Sequence, residues 1–164
     1  MTTYHPLEIL FKHNLWANLR LLDACQDLSK EQLVHKPEGT YGSILETLRH
    51  IVGAEEYYIF HITAGEVDLK AKRSVGEPTF ADIQKRTEIS GKAILDLATS
   101  AKGKELVWVG SDEDAFQISI EALLLQALHH ASEHRTQIET TLGQMGLETP
   151  GLSGWRFYEE EIQR

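Results

Sequence analysis

The sequence predicts an all-α fold, a four-helix bundle. Apolar residues recur at three- and four-residue spacing over four long stretches, and Ser, Thr, Gly and Pro signals bracket those stretches. Strand character is confined to one short run. At 164 residues the chain fits a single domain, residues 1–164. A hydrophobic content of 41% with 25% charged residues is ordinary globular usage, which excludes disorder, collagen and coiled-coil arrays as whole-chain answers.

The first helix is expected from about Pro6 to Leu28. Pro6 suits a first helical position, and Leu7, Phe11, Leu15, Leu19 and Leu22 repeat at helical spacing. Ser29 with Gln32 opens a further short turn, and Pro37, Gly39 and Gly42 then mark a loop. The second helix starts at Ser43, which has Glu46 at capping-box spacing. Ile44, Leu45, Leu48, Ile51, Val52, Ile59 and Ile62 form its stripe, and Gly65 ends it. Glu66 to Pro78 is polar and reads as a long crossover loop. The third helix spans about Thr79 to Thr99, with Phe80, Ile83, Ile94 and Leu97 inward and Thr79–Asp82 as a weaker cap. Lys102 to Ser119 reads either as a short hairpin or as an extended connection, because Leu106 to Val109 has strand character and Gly110 to Asp114 is a turn. The fourth helix runs from about Ile120 to Gly143 or Gly146. Trp155 to Arg164 forms a short C-terminal segment, and no internal repeat is visible.

Charge narrows the partners. Sixteen basic against 25 acidic residues give a net charge of -9. That disfavours phosphate backbones and anionic membrane surfaces, so no nucleic acid and no membrane is expected. No apolar run approaches the ~18 residues of a membrane span. The opening Met-Thr-Thr-Tyr-His-Pro lacks the basic-then-apolar pattern of a secretory signal. The one cysteine, Cys25, permits no intrachain disulfide and reads as a small buried hydrophobe. A cytoplasmic location is the expectation that fits.

The unusual count is eight histidines. With Ala127 at zero on the fourth helix, Ile120, Ala131, Ile138 and Met145 fall within roughly 40°. His134 lies on that stripe, His130 about 60° to one side, and His129 nearly opposite. Two inward imidazoles four residues apart can bind one metal ion with little backbone strain, or they can simply satisfy each other. The zincin pattern is absent: His130-Ala-Ser-Glu-His134 lacks Glu directly after the first His, and Glu133 points away. A further ligand must come from His5, His13, His35, His50 or His61, and periodicity does not choose among them.

The segment Gly42-Ser-Ile-Leu-Glu-Thr-Leu-Arg-His50-Ile51 resembles the second-helix motif of the DinB/YfiT-like family. So does His130-Ala-Ser-Glu-His134-Arg135-Thr-Gln137-Ile138, followed by Leu142, Gly146 and Pro150. Leu15-Trp16-Ala17-Asn18 and Gly154-Trp155-Arg-Phe157-Tyr158 are also similar. One departure is Thr136, where many members have Gly. The resemblance implies a four-helix bundle, often a homodimer through its first helices. It also implies a divalent metal ion (Zn, Ni, Fe or Mn) held by His50, His130 and His134.

By the same resemblance, the first functional expectation is a metal-dependent S-transferase that uses a low-molecular-weight thiol cosubstrate against small electrophiles. Asn18, Tyr57, His61 and Gln137 are its candidate substrate-binding residues. The alternative is a non-catalytic, stress-associated bundle that binds a metal or small ligand. A metal-assisted hydrolase ranks lower, because no carboxylate is evident on the inward faces. Trp16 and Trp108 read as core or interface, and Trp155, Phe157 and Tyr158 as a tail folding back over the bundle or packing on a partner. Glu159 to Glu161 reads as a solvated face.

Overall fold

A computed structural model describes residues 5–70, 78–100 and 105–163. It is mostly helical, as expected. The long helices are α1 (Pro6–Cys25), α3 (Ile44–Ile62), α4 (Phe80–Ser100) and α5 (Ile120–Gln144). Between the first two lies α2 (Lys30–Val34), and α6 (Gly154–Phe157) follows α5. The open alternative after α4 resolves as a hairpin: β1 (Leu106–Val109) pairs antiparallel with β2 (Phe116–Ser119). Of the two connections read in the sequence, residues 71–77 and 101–104 lie outside the described residues.

Local chemistry explains the helix starts. Ser43 and Glu46 form a reciprocal capping box, as do Ser29 and Gln32. Thr79 and Asp82 exchange the same pair of bonds at the head of α4. His5 caps α1, its Nδ1 accepting from Leu7 N at 3.3 Å. α1 ends at Cys25, three residues before the expected Leu28.

α1 packs against α4 and α5, and α3 packs against the same two helices. α1 and α3 therefore sit on one diagonal, and α4 and α5 on the other. Directions follow from the contacts. Arg49, early in α3, donates to Pro78 O just before α4, and Glu56 pairs with Arg86 further along. So α3 and α4 run parallel, and the connection from Glu66 to Pro78 carries the chain back along the bundle. α1 and α5 also run parallel to each other. Phe11 packs with Leu123 and Leu124 at one end, and Leu21 and Cys25 with Ile138 and Leu142 at the other.

Two apolar clusters fill these ends. Between them lies a layer that the sequence reading did not anticipate. Arg135 Nη1 donates to Asn14 Oδ1 and Asn18 Oδ1, both at 2.7 Å. Asn14 Nδ2 donates to Glu55 Oε1 at 3.0 Å, and Ser90 Oγ donates to Glu55 Oε2. Arg86 grips Glu56 through both carboxylate oxygens at 2.8 and 2.9 Å. Each of the four long helices contributes. The expectation that no carboxylate faces inward is corrected here: Glu55 and Glu56 are both buried. They are stable there because every carboxylate oxygen has a donor.

The tail is fastened to α1. Arg20 donates to Pro150 O and pairs with Glu160, and His13 Nε2 lies 2.8 Å from Leu152 O. Phe157 is buried against His13 and Trp16. Trp155 does not fold back, being 83% exposed. Trp108, expected in core or interface, is 61% exposed on the outer face of the hairpin.

Candidate metal centre

His130 and His134 come from the middle of α5 and His50 from the first half of α3. Ala127, Ala131 and Ile138 are buried, so the stripe carries His134 inward, where it is buried, with His130 half-buried beside it. His129 points to solvent. On α3, His50 shares a half-buried face with Gly53, Ala54, Tyr57 and His61. Packing of α3 on α5 brings the three rings together.

One ring nitrogen from each of His50, His130 and His134 lies within 4.8 Å of the others. The Nε2 atoms of His50 and His130 are 2.8 Å apart, and the ring centroids of the three lie 4.5 to 4.7 Å from one another. Two imidazole nitrogens on one ion, each about 2.0–2.1 Å from it, stand about 3 Å apart. The donor set therefore fits a divalent ion. Burial, reinforced by the neighbouring imidazoles, holds His130 down to about 4 and lowers His50 below its ordinary value. Neutral imidazole is the form a metal requires.

The third ring is held by Gln137. Its Oε1 lies 3.1 Å from Tyr41 N and 3.1 Å from His134 Nδ1. A backbone N–H only donates, so the Gln137 atom facing Tyr41 is the oxygen. That oxygen only accepts, so His134 Nδ1 is the donor. In the neutral ring the lone pair is then on Nε2, the nitrogen left for the cluster.

Tyr41 is the residue sequence reasoning missed. It sits in the loop before α3 and stacks on His50 at 4.0 Å and 18°, with its ring edge-to-face on His134 at 5.0 Å. A loop residue carries no periodicity, so the one available signal was an aromatic beside the Gly42-Ser43 helix start. Beside His50 opens a cavity of about 540 Å³ lined by Lys36, Tyr41, Glu46 and Arg49.

The other sequence candidates have partners of their own. Asn18 is in the buried polar layer, bonded to Arg135. His61 Nδ1 lies 2.6 Å from Trp108 O, and Tyr57 OH accepts from Gly110 N at 3.2 Å, so both fasten the hairpin to α3. Gln137 is against the cluster, through His134 rather than through open space. His5 and His13 are occupied at the N-cap and the tail, and His35 is exposed. Glu55 and Glu56 are bonded toward α1 and α4. Among the described residues, no helix is long and apolar enough to cross a membrane.

The family model described as the DinB family matches residues 1–164. No curated protein matches the chain.

Proposed function

The chain belongs to the DinB family, and from that premise we propose that it is a metal-dependent S-transferase joining a low-molecular-weight thiol to small electrophiles. The observation that carries the reading is the convergence of His50, His130 and His134, with His134 Nδ1 already committed to Gln137. The three imidazoles would hold the ion, one of Zn, Ni, Fe or Mn, through neutral nitrogens. Three protein ligands leave room for a further ligand. A divalent ion there supplies a local positive charge that favours the deprotonated form of a nearby thiol, the attacking species.

The chain's own residues supply the rest. Gln137 orients His134, Tyr41 covers one side of His50, and the cavity beside it admits a small molecule. In the transfer, a sulfur–carbon bond forms as the bond from carbon to its leaving group breaks. The thiol proton passes to solvent and the leaving group departs as an anion. A second copy of the chain as partner belongs to this reading, supported by the exposed apolar side chains Leu10, Trp155 and Tyr158. So does a cytoplasmic setting, where such thiols stay reduced.

One observation favours a non-catalytic metal-binding bundle instead. The two buried carboxylates are bonded away from the histidines, and Glu46, which lines the cavity beside His50, is engaged in the Ser43 capping box. A thiol screen separates the readings. Metal-loaded protein would be assayed with bacillithiol, mycothiol, glutathione and cysteine against a chlorobimane. Acceleration with at least one thiol, lost in His130→Ala, is expected. No acceleration with any of the four returns the non-catalytic reading.

A further inference from the structure

We propose that Gln137 is a positioning residue with two jobs. One amide oxygen both fixes His134 for the cluster and fastens the Tyr41 loop over His50, so filling the cluster and docking Tyr41 are energetically coupled. The proposal rests on the metal reading above and deepens it.

The loop from His35 to Gly42 has few ties among the described residues. Thr40 Oγ1 donates within the loop, to Pro37 O and Gly42 O. His35 N donates back to Gln32 O. The bond that reaches another long helix is Tyr41 N to Gln137 Oε1, across 96 positions of sequence. That bond seats the Tyr41 ring flat on His50 and edge-on to His134. Both ends of the device therefore meet at His134, and the loop end also covers His50.

The coupling follows from the shared atom. A proton on His134 Nδ1 gives Gln137 a reason to hold its oxygen toward the loop. A tautomer with the proton on Nε2 would turn a lone pair against that oxygen and would remove the ligand nitrogen. An ion in the cluster selects the Nδ1–H tautomer, so it selects the Gln137 orientation that Tyr41 N requires. By reciprocity, whatever docks Tyr41 favours the ligand-ready form of His134. Outer partners of this kind change metal affinity when removed, by about 10–100-fold.

The test uses the full chain, zinc as the probe, and the variants Gln137→Met and Gln137→Glu. Methionine keeps the length and removes the acceptor, while glutamate keeps an acceptor oxygen. Three quantities are read: zinc affinity by chelator competition, exchange of the Tyr41 amide with and without zinc, and the His134 ring tautomer by nitrogen shifts. In the wild type, His134 should carry its proton on Nδ1, and zinc should slow Tyr41 exchange. Gln137→Met should bind zinc about 10–100-fold more weakly, expose the Tyr41 amide, and lose the effect of zinc on it. Gln137→Glu should restore all three.

Wild-type zinc affinity in Gln137→Met, or Tyr41 exchange that zinc does not alter in the wild type, overturns the proposal. Should the wild type take up no metal, the metal reading fails and the coupling with it. In the metal-free protein, the His134 tautomer and Tyr41 protection separately decide whether the clamp exists. If both are unchanged by Gln137→Met, the clamp alone is sunk.

Discussion

The Nε2 atoms of His50 and His130 face each other at 2.8 Å across the packing of α3 on α5. Two neutral rings at that distance must share one proton, one nitrogen donating and the other accepting. Both rings are held below their ordinary pKa by burial and by their neighbours. The arrangement is one proton away from a pair of free lone pairs.

Uptake of about one metal equivalent should raise thermal stability. At a free metal concentration one hundredfold above Kd the gain is ~2.7 kcal/mol, or roughly 5–11 °C for a chain of this size. Thermal melts with zinc, iron, manganese and nickel, with and without chelator, read it directly. His50→Ala and His130→Ala should lose the shift. If none of the four metals moves the wild-type melt, the histidines are structural.

Arg86 holds the buried Glu56 carboxylate through two bonds, with the Arg86 side chain 16% exposed and the Glu56 side chain 2%. Arg86→Ala removes that partner and should cost about 3–5 kcal/mol. Adding Glu56→Gln should recover part of the loss, since the second change removes the stranded charge. Denaturant midpoints of both singles and the double measure the coupling. Additive losses would mean the pair contributes as two separate packing groups.

Burial pushes the Glu55 carboxyl up to about 7 from 4.5, while Ser90, Arg135 and Asn14 pull the other way. Between those two values the folded chain holds a proton that the unfolded chain has released. Stability from this group is therefore present at low pH and lost as pH rises toward 7. Glu55→Gln has no such titration. Its stability relative to the wild type should rise by roughly 1–3 kcal/mol between about pH 5 and pH 7.5. Urea midpoints of the two proteins at both pH values test the sign, and a constant difference would place the carboxyl's titration outside that window.

Gly91 lets α4 approach α1. A methyl there would meet Leu15 Cδ1 at 2.5 Å, with Leu15 Cγ and Cβ at 3.2 and 3.3 Å. Alanine improves helix propensity by about 1 kcal/mol, but overpacking of this kind costs about 1–3 kcal/mol. Gly91→Ala should be net destabilising, and Leu15→Ala in the same chain should relieve the clash. Single and double variants compared by denaturant midpoint decide it. A stabilised Gly91→Ala would mean that Leu15 moves aside freely.

Much of this was legible in the sequence. Four stripes at helical spacing gave four long helices, and the Ser43–Glu46 spacing gave a real capping box. The inward turn of His130 and His134 followed from a rotation of 100° per residue. What a stripe does not encode is which helix it meets, so the diagonal placement of α1 against α3 needed the contacts themselves. The buried layer was missed for a related reason. Glu55, Glu56 and Arg135 look solvent-facing when charge is scored alone, and their partners lie 30 to 121 positions away. Tyr41 was missed because a loop has no period to read.

The polar layer also sets something that apolar packing leaves loose. Leucine and isoleucine stripes tolerate small rotations of a helix about its axis, since one methyl replaces another in the same space. Directed bonds do not. Arg135 is locked to Asn14 and Asn18 on α1, and it is the residue next to His134. The bonds on one side of α5 therefore index its rotation like a keyed shaft. They decide where the imidazoles on the other side point, and the aim of the cluster is set by residues that never touch it.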